Sequence, residues 1–196
     1  MHTSLRLKTF SRRDTGVRPD TTMATVKYEG AVYQTFGELP AVGSHAPDFS
    51  LVNTRLQDVS LANWMGKRVV FNIFVSIDRT ICAKSVIEFD SYAEGLDDVV
   101  MLMVSYDLPF AHARFAKQHD LNNVIGLSAI RHAGFGENYG VQIVDGPLTG
   151  MFARAVVVLD ENHTVVHQEQ IEDITIEPNY GTALRTLGIG VNKDHQ

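Results

Sequence analysis

The chain of 196 residues holds a single cysteine, Cys82, so no disulfide can form within it, and no Cys-x-x-Cys or Cys/His array has zinc spacing. That excludes a disulfide-stapled secreted scaffold and fits a reducing compartment, with a cytoplasmic location expected. Long apolar runs are missing too: the longest are pieces such as VVMLMV and AVVVL, far short of the roughly 18 residues of a membrane span. Net positive charge is absent, the formal balance being −6. Neither nucleic acid nor an anionic membrane is therefore an expected partner, since both call for a basic face. Eight histidines are scattered without metal-ligand spacing, and no metal or cofactor is expected. The glycines of GFGENYG do not have the spacing of a phosphate-binding loop.

What is present is an ordinary globular composition, 44% hydrophobic and 20% charged, at a length suited to one core. The first residues are an exception. Up to residue 22 they are polar and basic, five Lys/Arg against Asp14 and Asp20, a local +3 that leaves −9 for the remainder. The expected organisation is a disordered basic extension over 1–22 followed by one domain over 23–196.

The text from Thr25 alternates with period two around Glu29-Gly30, the signature of a two-residue hairpin. GSHAPDFSL reads as an extended lead-in, and VNTRLQDVSLANWMGKR as a connecting segment. RVVFNIFVS is an apolar run with one Asn, of the length and branching of a central strand buried on both faces. Positions 82, 86, 89, 93 and 96 then carry Cys, Val, Phe, Ala and Leu, one face of a helix. VVMLMVSYD predicts a second buried strand, PFAHARFAKQHD a helix opened by Pro109, and NNVIGLS a third strand. AVVVLDENHTVVHQEQ predicts an antiparallel hairpin turning at Asp160 to His163, and PNYGTALRTLG a last helix. Such alternation implies an α/β fold with parallel crossover units and helices on both faces of the sheet.

Cys82 falls where a buried strand has ended, a short polar turn intervenes and a helix begins. Free N–H groups and the helix dipole at a first turn favour negative charge, which draws a thiol there towards the nucleophilic thiolate. Asp78, four residues earlier, is expected to cap that helix through its carboxylate. Cys82 also lies on the apolar stripe of its helix, and an unoxidised cysteine is often buried purely for packing. The spacing leaves both readings open.

From the hairpin near Lys27 to Leu187, through GSHAPDFSL, GKRVVFNIFVSID, LPFAHARF, NNVIGLS, YGVQIVDGPLTGMFARAVVVLDEN and ITIEPNY, the chain resembles the bacterial thiol peroxidases, the atypical two-cysteine branch of the peroxiredoxins. The resemblance implies a thioredoxin-like peroxiredoxin fold with an N-terminal β-hairpin, and a homodimer. It implies that Cys82 is the peroxidatic residue, attacking a hydroperoxide to become a sulfenic acid. Arg154, in FARAVVVLD, would stabilise thiolate and peroxide.

The chain departs from the family in three places. The signature Pro-x-x-x-Thr-x-x-Cys has Val75 and Arg79 at its proline and threonine positions. Thr80 stands one residue beyond the family's threonine, so that hydroxyl's role does not pass to it; Val75, Arg79 and Thr80 are the expected substrate-side residues. The family's resolving cysteine is replaced by Ala116. Turnover would then need an external thiol such as thioredoxin, as in one-cysteine peroxiredoxins. The alternatives are a catalytically impaired homologue serving as a binding or redox-sensing module, and disulfide exchange with a bound partner aided by Arg79. An apolar set, Phe49, Leu108, Phe110, Phe115 and Met151, is a candidate lining for an alkyl hydroperoxide pocket.

Overall fold

A computed structural model describes residues 23–132 and 134–189. The expected basic extension over 1–22 lies outside the described residues. The described residues open with β1 (Thr25–Tyr28) and β2 (Ala31–Gln34), paired antiparallel as a small separate sheet. Its turn holds Glu29 and Gly30 at φ 50° and 79°. Two successive left-handed residues make the tight turn whose twist matches the strands, and glycine takes the second without a Cβ penalty. The hairpin is tied to the main body by Lys27 N–H to Glu172 O (2.7 Å) and Ile174 N–H to Lys27 O (3.1 Å).

The main sheet has seven strands: β3 (Leu51–Asn53), β4 (Asp58–Val59), β5 (Arg68–Ile73), β6 (Val99–Ser105), β7 (Val124–Ser128), β8 (Ala155–Leu159) and β9 (Val165–Gln170). Their order is β4-β3-β7-β6-β5-β8-β9. Strands β5, β6 and β7 run parallel, linked by α1 (Thr80–Ala93) and α2 (Pro109–Gln118). The expected crossover units are there. Only these three strands are parallel, however: β3 pairs antiparallel with β7, and β8 antiparallel with both β5 and β9, so the sheet is mixed.

The stretch expected to be a plain connector instead supplies β3, β4 and a 3-10 turn over Leu61–Trp64. Two- and three-residue strands carry too few alternations to announce themselves; β3 is fixed by pairing with β7, far along the chain, and β4 by pairing with β3. GFGENYG forms the five-residue helix α3 (Gly134–Asn138), and the final helix α4 spans Tyr180–Arg185.

Strand β5 is buried on both faces from Val69 onward, as its largely apolar text predicts. Val70 joins one core layer with Cys82, Val86, Phe89 and Ala93 of α1, Phe115 of α2 and Ala183 and Leu184 of α4. Val69, Phe71 and Ile73 join the opposite layer with Phe135 of α3, Tyr139 and Leu61. The helices thus divide three to one between the faces.

Candidate active site

The parallel strands β5 and β6 end at the same edge of the sheet, and the candidate residues gather there because the register places them. Ile73, the last residue of β5, pairs with Ala155, the first of β8. Arg154 precedes Ala155 by one residue, so it leaves β8 at the edge where the chain departs from β5 towards α1. Cys82 is the third residue of α1. Register and helix start together bring residues 72 positions apart in sequence to one place.

The loop between β5 and α1 is held by Asp107, which stands just after β6. Its Oδ1 accepts from Ser76 Oγ at 2.8 Å, and its Oδ2 accepts from Ile77 N–H at 2.6 Å and Ser105 Oγ at 2.7 Å. Asp78 N–H donates to Ser76 Oγ (3.2 Å), and Arg79 N–H to Ser76 O (3.2 Å). One carboxylate therefore fixes the turn from which α1 starts. Sequence reasoning missed Asp107. The available signal was its place just past the C-terminal end of a buried parallel strand, where ligands and catalytic groups of open α/β sheets collect.

Within α1, the Cys82 and Ala83 amides both donate to Arg79 O at 2.9 Å. From beneath, Asn72 of β5, itself buried, donates to Ser85 Oγ (3.0 Å), and that hydroxyl donates to Cys82 O (2.8 Å). The backbone carrying the sulfur is thereby tied to the central strand. Arg79 occupies the N-cap position without a side-chain capping bond. Asp78 does not cap the helix as expected: its carboxylate accepts from Arg114 Nη2 at 3.0 Å. Engaged with α2 and set one residue before the cap, it faces away from the amides it was expected to serve.

Arg154 is 1% exposed, the largest fully buried side chain among the described residues. A guanidinium at that depth must be satisfied by hydrogen bonds. Its Nη1 donates to Ile176 O, and Nη2 makes a long 3.5 Å contact to Ile81 O in the first turn of α1. Burial pushes its pKa below the ordinary arginine value; the charges of Cys82, Tyr180 and Glu177 oppose that, and Arg79 adds to it. The side chain is thus aimed at the helix turn that carries the sulfur.

Cys82 itself is 0% exposed, within the layer containing Val75, Ile77, Val86 and Phe89. Val75 is buried in that same layer, 4% exposed. Arg79 turns back over the hairpin, its Cζ 5.0 Å from the Tyr28 ring centroid, a cation–π contact. Thr80 is exposed. The structure therefore gathers Cys82, Arg154 and Val75, sets Arg79 beside them against Tyr28, and leaves Thr80 at the surface.

The apolar set does not form one pocket. Phe49 packs in the opposite core layer from Phe115, and Leu108, Phe110 and Met151 are 51%, 64% and 38% exposed. His163 is buried in its turn with Nε2 3.1 Å from Trp64 O, an intramolecular role, and no group of three metal-ligating side chains occurs among the described residues.

Residues 41–184 match the Redoxin family. A thiol peroxidase of Corynebacterium glutamicum is 41% identical over 165 residues, which cover 84% of this chain and 99% of that protein. One of Mycobacterium bovis is 45% identical over 166 residues, covering 85% and 99%. Among solved structures, a peroxiredoxin-like protein from Aquifex aeolicus superposes with a TM-score of 0.79 at 31% identity, over 86% of this chain and 99% of that one. The thiol peroxidase from Chromobacterium violaceum gives 0.78 at 22% identity, over 86% and 96%.

Proposed function

The chain belongs to the redoxin family and, within it, to the thiol peroxidases; from that premise we propose that Cys82 is its peroxidatic residue, that Arg154 is the cation serving it, and that turnover follows a one-cysteine route. The fold is the thioredoxin-like peroxiredoxin fold, and the activity is thiol-dependent reduction of a hydroperoxide. A binding or redox-sensing module without turnover is not favoured by these relatives.

The observation that carries the assignment is the aim of a buried guanidinium at the first turn of the helix holding the chain's one thiol. A charge with so few alternatives for solvation stabilises an anion beside it far more than a surface arginine would. The thiolate attacks the distal peroxide oxygen, the S–O bond forms as the O–O bond breaks, and the leaving alkoxide or hydroxide takes up a proton. Sulfur is oxidised to sulfenic acid while the peroxide is reduced to alcohol or water. Guanidinium N–H groups favour the negative charge that passes from sulfur to the leaving oxygen.

Cys82 is the only cysteine, so a second thiol must come from outside. An external thiol of the thioredoxin type displaces water from the sulfenic acid to form a mixed disulfide, and a further thiol releases reduced Cys82 with a disulfide as product. Because the sulfur is fully covered, peroxide must reach it through a local opening of the β5–α1 loop and first helical turn. Val75 and Arg79 stand on the substrate side of that opening and Thr80 at its rim. We further assign a homodimer, consistent with the exposed Leu108 and Phe110, and a cytoplasmic location, consistent with the unpaired thiol.

The test is stoichiometric hydrogen peroxide added to reduced protein in the presence of dimedone, followed by peptide mass spectrometry. A dimedone adduct on Cys82, absent from Cys82→Ser, is the expected result; an unmodified Cys82 would end the assignment.

A further inference from the structure

Residues of α1, α2, β6, β7 and the turn between β3 and β4 line an open cavity of about 470 Å³ that does not include Cys82. This is the size of a small-molecule site. Its walls are mainly apolar, with Ile77, Val86, Met103, Phe115, Leu121 and Val124. Asn53, Thr54 and Arg55 also reach it, but among its buried side chains one is polar, His112, only 4% exposed.

The hydrogen bonds around His112 fix its tautomer. Ser105 Oγ spends its proton on Asp107 Oδ2 at 2.7 Å, so towards His112 Nε2, 3.1 Å away, it can only accept. Nε2 therefore carries the ring proton, and Nδ1 carries a lone pair. Nδ1 has no partner among the described residues. It lies beside Gly126, which also lines the cavity: a Cβ at that position would stand 2.9 Å from Nδ1 and 2.7 Å from the His112 Cβ. A glycine is thus required where ring and strand approach. Burial keeps the ring neutral, lowering its pKa to about 4 against the opposing charge of Asp107.

An unpartnered acceptor beside a largely apolar cavity selects its occupant. A carboxylate offers Nδ1 no proton, and a cation loses its hydration among apolar walls with Arg55 also at the lining. A molecule with an apolar body and one O–H group satisfies both the walls and the nitrogen. The geometry points to a binding site for a neutral alcohol or phenol in this cavity, its hydroxyl donating to His112 Nδ1 and its hydrocarbon part against Val86, Phe115 and Val124. The site is also coupled to the Cys82 loop, because Asp107, which sets the His112 tautomer through Ser105, accepts from Ser76 and Ile77 as well. Occupancy does not require Cys82 to react, so the site and the peroxidase assignment stand or fall separately.

The experiment is an NMR titration of the full chain, methyl-labelled at methionine and valine, with p-cresol and with 4-methylanisole, the ether that lacks the O–H. Saturable shifts at Met103 and Val124 are expected with p-cresol, and about tenfold weaker binding of the ether, the worth of one net hydrogen bond. H112F, checked for folding by circular dichroism, should make the two affinities equal. A116L, which fills the cavity from α2, should weaken both. Equal binding of phenol and ether to the wild type, or no saturable shift of these methyls by p-cresol, overturns the proposal. Should H112F not fold, the phenol-to-ether comparison on the wild type decides alone.

Discussion

A guanidinium buried to 1% exposure keeps its charge only if its surroundings are arranged for it, and Arg154 has two carbonyls and a thiol for that purpose. Replacing it by methionine removes one aligned donor and should lower the rate of peroxide reduction by about 10²–10³. Stability should fall as well, by about 1–3 kcal/mol, because the Ile176 and Ile81 carbonyls lose their buried donor. Stopped-flow peroxide kinetics beside a urea melt separates the two effects; equal rates in R154M and wild type would remove Arg154 from the mechanism. His112 makes a separate prediction. Its folded pKa is about 4 against an ordinary 6.5, with desolvation the cause and the Asp107 carboxylate opposing. The unfolded chain therefore binds the proton more tightly, so the histidine's contribution is fully present above about pH 6.5 and lost as pH falls towards 4. About 3 kcal/mol of stability should disappear across that window, following ~1.4 kcal/mol per pKa unit. Urea midpoints between neutral pH and the acid end should show the slope, and H112Q should flatten it.

At the scale of elements, the β5–α1 loop matters because the helix it launches carries the sulfur. Asp107 accepts from two side-chain hydroxyls and the Ile77 amide, all ionic hydrogen bonds to a carboxylate. In D107N the side chain keeps its volume but loses the charge and one acceptor, so at least one of these donors is left poorly paired. A loss of about 1–3 kcal/mol in stability is expected. If the loop also governs access to Cys82, D107N should speed alkylation of the thiol by iodoacetamide under native conditions by more than the rise in the unfolded fraction, known from a urea melt, accounts for. A rise no greater than that would confine Asp107 to a structural role. Helix α1 has no acidic residue in its first turn and no side-chain cap. Its start is specified by the loop, the Asn72–Ser85–Cys82 chain and the packing of Val86, Phe89 and Ala93.

For the whole molecule, a single thiol sets the oxidation products. With no second cysteine anywhere in the 196 residues, peroxide treatment without reductant should add one oxygen to the intact mass and then two or three. The loss of two hydrogens that marks an internal disulfide should never appear. Intact-mass spectrometry against a peroxide series checks this, and a thioredoxin system supplied beforehand should hold the protein in its reduced mass. Protection absent with thioredoxin but present with a small thiol would replace the reductant class while leaving the one-cysteine route in place.

The sequence by itself determined the elements that repeat a pattern many times over. Six apolar residues in β6, a run in β5 apolar but for Asn72 after its opening Arg68, the 3.6-residue stripe of α1 and the Glu29-Gly30 turn each state their structure locally, because side-chain periodicity and backbone preference act within a few residues. The family motifs likewise singled out Cys82 and Arg154 from the text alone. Only the tertiary structure decided that β3 and β4 exist, that Asp78 turns to Arg114 and that Asp107 organises the loop. It also sealed the sulfur from solvent and left His112 facing an apolar cavity. Each of these depends on partners far apart in the chain, whose approach is set by sheet register and side-chain packing, and no local pattern of residues encodes a distance between two elements.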